Sequence, residues 1–231
     1  SDNGGWRHSI DHLAAYDADA LVRGVREVTG RRPAWIGHSM GGMVLYCYLQ
    51  GASFGEGPGS GTFRADPRLA EERNSLIAAG VAIGSPPAFY WERGGFFGFL
   101  SNSAAARAVM RGMLKGLDIL EKRGVKVSLG VPVGRWAEKH PRGAAMLALS
   151  RAGILLYNWR NVEADAAVSL LRWAGDDVSP AMARQLISGL IDRDYLSYDR
   201  NYDYTANMGR ITAPMLFVTG TEDFASYECI K

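Results

Sequence analysis

At 231 residues, 47% hydrophobic and 22% charged, the chain suits one globular domain, or one domain carrying a large insertion. A formal charge of +2 with no Lys/Arg run gives no support to a nucleic-acid partner or to an electrostatic membrane patch. Two scattered cysteines, Cys47 and Cys229, exclude a disulfide framework and a cysteine metal site, and no apolar run reaches the ~18 residues of a spanning helix.

The opening, "SDNGGWRHSI", lacks an initiating Met and a signal peptide and leads straight into a helix. The natural N-terminus is therefore expected upstream, which leaves the compartment open, with cytoplasmic as the default. Residues 10 to 29 place Leu13, Tyr16, Ala20, Leu21, Val25 and Val28 at helical spacing, with Ser9 as cap and Gly30 as stop. His8 and His12, one turn apart, are read as a solvated helix face, since no third metal ligand accompanies them. A short apolar run, "AWIG", precedes Ser39, and "MGGMVLYCYLQ" follows as a second helix closed by Gly51. Cys47 lies within that helix and reads as a buried thiol.

The segment "GASFGEGPGSGT", residues 51 to 62, reads as a surface loop and not a phosphate cradle, since no Lys-Ser/Thr follows. Residues 75 to 86, "SLIAAGVAIGSP", form a near-continuous apolar run, as expected of a strand buried on both faces of a parallel sheet. "APMLFVTG", residues 213 to 220, is a third strand candidate. The 126 residues between, 87 to 212, far exceed one strand-to-helix connection and look helical. Residues 103 to 121 carry Val109, Met110, Met113, Leu117 and Leu120 on one face, and residues 162 to 173 repeat the pattern. Ser179-Pro180 opens a further helix to about Asp192. The expected fold is α/β: a mostly parallel sheet flanked by helices, from residues 1–86 and 213–231, with a large inserted helical cap at 87–212.

"G-H-S-M-G", residues 37 to 41, has the spacing of a nucleophile held on a tight strand-to-helix turn that lifts its hydroxyl above the sheet. Gly37 and Gly41 are expected to avoid Cβ clashes with neighbouring backbone, and the Met40 N–H is the expected oxyanion donor. His38 is expected to point away from Ser39 and to pack or hydrogen-bond under the loop.

"GHSMGG" at 37 to 42 and "ITAPMLFVTGTED" at 211 to 223 resemble the α/β-hydrolase family, in particular its capped lipases and esterases. The resemblance covers roughly 1 to 86 and 211 to 231. It implies Ser39 as nucleophile and Asp223, in Gly-x-x-Asp past a late strand, as the acid, with Glu222 as its neighbour and competitor. The acid's physical task is to fix one histidine tautomer and steady the imidazolium. The alternative family position after the preceding strand reads "GSPP", without a carboxylate.

The family order Ser, Asp, His leaves the base unassigned, since no histidine follows His140. The chain is accordingly expected to be an internal portion of a longer hydrolase, with the histidine beyond Lys231 and the second oxyanion amide before Ser1. Phe89, Tyr90, Trp91, Phe96, Phe97 and Phe99 suggest either a lid over an acyl pocket or glue between cap and core. Tyr195, Tyr198, Tyr202 and Tyr204 are expected to pack the return segment or to line the site's mouth. The expected activity is hydrolysis of hydrophobic carboxylic esters, with acyl transfer or a non-catalytic binding scaffold as alternatives. No cofactor or metal is expected, and membrane contact only at a lipid substrate surface.

Overall fold

The computed structural model describes residues 8–55, 61–89, 103–125 and 178–221, Asp223, and isolated residues between 135 and 169. Three parallel strands form its sheet: β1 (Ala34–His38), β4 (Ala79–Ile83) and β5 (Met215–Val218), with β4 in the middle. Ile36 pairs with Val81 and Val81 with Leu216, so these three share one face. Trp35, Gly80, Ala82, Met215 and Phe217 point the other way, toward α3 (Met40–Leu49). From Gly42 on, every residue of α3 is buried, as expected of a helix apolar all round.

Burial in the sheet is one-sided. On the face away from α3, Ile36 is 71% exposed and Leu216 58% exposed among the described residues. The expectation of a central strand covered on both faces is therefore not met, since Ile83 on that face is also exposed. The apolar run 75–86 is also shorter as a strand than expected. Its first residues end α4 (Pro67–Leu76), a helix capped by Asp66, whose carboxylate accepts the Arg68 and Leu69 amides.

Residues 51–62 are not wholly a loop. Ala52–Phe54 (β2) pairs antiparallel with Phe63–Ala65 (β3), which sets Phe54 beside Phe63 at 5.9 Å. The first helix also differs from its reading. It runs as α1 (Ile10–His12), a π-helical turn (Leu13–Ala18) and α2 (Asp19–Thr29), with Ser9 and Gly30 as caps. The wider π turn brings residues four apart into line, so Ile10, Ala14, Ala18 and Val22 face the core. Leu21, Val25 and Val28 are left exposed.

Helices α5 (Ala104–Lys122) and α6 (Pro180–Asp192) pack on each other; α6 starts as expected on the Ser179 cap, and α5 starts on Ser103, whose hydroxyl accepts the Ala106 amide. Of the apolar face assigned to α5, only Met110 and Leu117 are buried, while Val109 and Met113 lie outward. The pattern at 162–173 falls largely outside the described residues, where Asp165, Ala166, Val168 and Ser169 are helical. Residues 90–102, Glu222 and Cys229 lie outside them too, whereas Phe89 is buried and meets Tyr195 edge-on at 6.0 Å.

The chain after α6 is bound to the core by polar side chains. Tyr195 OH lies 2.9 Å from Cys47 Sγ and donates to the Met43 carbonyl at 3.2 Å. Tyr204 OH donates to Asp11 at 2.7 Å, as does the Tyr198 amide at 2.6 Å. Gln185 of α6 donates to Asp11 at 3.1 Å and accepts the Ile10 amide at 3.0 Å. Three donors thus converge on one fully buried carboxylate. The tyrosines pack the return segment: Tyr195 and Tyr204 are 2% and 0% exposed.

Candidate active site

Ser39 stands between β1 and α3 with φ 50° and ψ −118°, a conformation that costs a non-glycine residue about 1–3 kcal/mol. Several contacts hold it there. Its amide continues the ladder to the Ile83 carbonyl at 2.9 Å, and its carbonyl accepts the Gly42 amide at 3.1 Å. Trp35 Nε1 donates to the Gly41 carbonyl at 3.1 Å, tying the helix start to β1. Ser39 is exposed, so its hydroxyl is accessible.

Two glycines allow the turn. A Cβ on Gly37 would lie 2.5 Å from the Gly41 carbonyl carbon and the Gly42 nitrogen. One on Gly42 would lie 2.5 Å from Ser85 Cβ. The close approach expected at Gly41 is not found, since a Cβ there meets nothing within 4 Å. Gly41 contributes its backbone to the contact, and Gly42 is the residue that must lack a side chain. Met40 is the first residue of α3, so its amide has no intrahelical acceptor.

The neighbouring strands end at the same edge. His38, Ile83 and Val218 are in register at the carboxyl ends of β1, β4 and β5, where ligands of open parallel sheets bind. Just beyond them come Ser39, Gly84 and Asp223. The Asp223 amide closes a turn onto the Gly220 carbonyl at 3.0 Å. Gly84 has φ 54°, and from the position its Cβ would occupy Asp223 Oδ2 is 3.4 Å away and His38 Nε2 3.8 Å. His38 is therefore not tucked under the loop. It is exposed and shares the Gly84 surface with Asp223, since β1 sends its side chain to the uncovered face of the sheet.

Sequence reasoning missed the braces of this turn. Ser85 is fully buried, and its hydroxyl donates to the Ile83 carbonyl at 3.0 Å, within 3.4 Å of the Gly37 carbonyl. Its own carbonyl accepts Tyr46 OH at 2.9 Å. Nothing local in "GSPP" marks Ser85, because its partners come from β1 and α3.

The other histidines are placed elsewhere. His12 is not on a solvated face: Nδ1 lies 2.8 Å from Ser9 Oγ, the ring stacks on Phe54 at 4.2 Å, and burial pushes its pKa down to about 4. His140 lies 5.9 Å from the Trp136 ring. No hydrogen bond joins Ser39 to a histidine among the described residues. A cavity of about 410 Å³ between α5, α6 and residues 194–200 contains neither Ser39 nor Asp223. Among the described residues no group of three or more His, Cys, Asp or Glu is placed to hold a metal ion. Nor is any helix there long and apolar enough to cross a membrane.

A family model described as "Alpha/beta hydrolase family" matches residues 3–203. Among curated proteins the chain finds no match.

Proposed function

Since the chain belongs to the alpha/beta hydrolase family, we propose that it is a serine hydrolase cleaving carboxylic esters of hydrophobic acyl groups. The observation that carries this reading is Ser39 at φ 50° on a strand-to-helix turn, with the Asp223 carboxylate at the adjoining strand ends. Ser39 Oγ attacks the acyl carbon, and the Met40 amide holds the developing oxyanion. A histidine oriented by Asp223 takes the serine proton and gives it to the leaving alcohol. Water then attacks the acyl-enzyme, releasing the acid and restoring Ser39. In this reading residues 87–212 cap the site, and the base is a histidine other than His38.

A second reading gives the base's role to His38, favoured by its approach to Asp223 over Gly84. A fluorophosphonate probe read by intact mass tests both. One adduct is expected, absent in Ser39→Ala and slowed about 10⁴-fold in Asp223→Asn. Labelling that survives His38→Gln supports the first reading, and labelling lost with a folded His38→Gln supports the second. No adduct on the folded protein would sink both. Turnover in added alcohol separates hydrolysis from acyl transfer by whether acid or a new ester forms.

A further inference from the structure

The outward side of α5 is divided lengthwise. Ala105, Val109, Gly112, Met113 and Gly116 recur at spacings that place them on one stripe, and all are exposed, Val109 at 66% and Met113 at 52%. Arg111, Lys115 and Lys122, four and seven apart, form an exposed stripe beside it. The helix's acids are already engaged within the chain: Asp118 shares the cation stripe and pairs with Lys122 at 2.7 Å. Arg184 of α6 reaches Asp118 at 3.4 Å and Glu121 at 3.5 Å, and Tyr198 OH also bonds Glu121. Arg111 and Lys115 have no acidic partner among the described residues.

We propose that this side of α5 docks the protein on an anionic lipid surface, with Val109 and Met113 entering the headgroup boundary and Arg111 and Lys115 meeting the lipid phosphates. An apolar stripe bordered by cations on an exposed helix is what interfacial binding requires. A second copy of the chain is the poorer occupant, because it would bring the same unpaired Arg111 and Lys115 and only acids already paired within its own chain. The three cations are scattered through the sequence, which is why composition gave no sign of a patch; the helix assembles it. As a route to substrate the proposal rests on the ester-hydrolase reading, and as a binding property it does not.

The test is co-sedimentation of the whole chain with vesicles of phosphatidylcholine, alone or mixed with phosphatidylglycerol. Binding is expected to the mixed vesicles and to weaken with salt. It should be lost in the double variant Val109→Asp/Met113→Asp, whose sites are exposed and whose fold is checked by circular dichroism. Arg111→Gln and Lys115→Gln should each weaken it about fivefold. A folded protein that ignores mixed vesicles, or binds them equally well after the double substitution, overturns the proposal. So does a dimer in sedimentation velocity that the double variant dissociates while vesicle binding persists, which would give the face to a second copy. Fluorophosphonate labelling of Ser39 should be unchanged in all these variants, so loss of docking and loss of chemistry are read separately.

Discussion

The turn at Ser39 and the seam around Asp11 are held by opposite means. At the turn, neither glycine has room for a Cβ, Gly37 against the Gly41–Gly42 backbone and Gly42 against Ser85, and Ser39 itself sits at positive φ. At the seam, α1, α6 and the 195–204 segment meet through side chains, with Gln185, Tyr204 and the Tyr198 amide all donating to one buried carboxylate. The first arrangement is steric and indifferent to pH. The second is electrostatic, and its strength depends on whether Asp11 is ionised. A turn that presents a nucleophile, as proposed for Ser39, would gain from the first kind, because its geometry would then survive every charge change during proton transfer.

The largest effect should come from breaking the steric side of this contrast. Gly37→Ala drives a methyl to 2.5 Å from backbone that the sheet and α3 both fix, and should cost about 3 kcal/mol or more. Gly42→Ala should cost somewhat less, since its obstacle is the Ser85 side chain. Gly41→Ala, in open space within the same motif, should be neutral or stabilise α3 by up to about 1 kcal/mol. Urea unfolding of the three variants gives the order. A Gly41→Ala as damaging as Gly37→Ala would show that the close approach has been placed on the wrong residue.

The seam is broken by pH. Burial, opposed by the bonds from Tyr198, Tyr204 and Gln185, pushes the Asp11 carboxyl up to about 6. Between about pH 4 and 6 the folded chain therefore keeps a proton that the unfolded chain has released, so this group removes stability as pH rises, by up to about 3 kcal/mol. His12 acts in reverse. Its folded pKa of about 4, set first by burial and then by His8, means the unfolded chain binds a proton that the folded chain refuses. Stability from His12 therefore grows as pH rises from 4 to 6.5, by less than the bare shift implies because the ring is part-exposed. The two slopes oppose each other one residue apart in α1. Unfolding free energy of the native protein should thus be nearly flat from pH 4 to 6. Asp11→Asn should expose a rise and His12→Gln a fall. Parallel profiles for the two variants would remove Asp11 from its assigned role.

What the sequence revealed divides along the same line. The turn at Ser39 was legible because strand, glycines, serine and helix are contiguous, and the caps at Ser9 and Ser179 for the same reason. Asp11 and Gln185 lie 174 residues apart, and neither residue type announces a partner. The inward face of the first helix was misread because one π turn, invisible to a 3.6-residue pattern, swings Leu21, Val25 and Val28 out and four-spaced alanines in. Helix α4 was not anticipated, although Asp66-Pro67 has the cap-and-proline pattern of a helix start, and the apolar run 75–86 hid where it ends and β4 begins. Near Ser39, the approach of His38 to Asp223 over Gly84 was not legible, because it depends on which face β1 presents.

The smallest effect tests whether the strain at Ser39 is real. A residue at φ 50°, ψ −118° is held there by the ladder bond to Ile83 and by the helix start, and a Cβ in that region costs energy whatever the side chain beyond it. Ser39→Ala keeps the Cβ and the strain, whereas Ser39→Gly removes both at the cost of a freer unfolded chain. Both variants lose the hydroxyl, so probe labelling should vanish equally, while in urea the glycine variant should be about 1 kcal/mol more stable than the alanine variant. Equal midpoints would mean that the turn is relaxed around Ser39. A difference of the expected sign would mean that the fold gives up stability to present this hydroxyl, which selection for packing alone would have removed by placing glycine there.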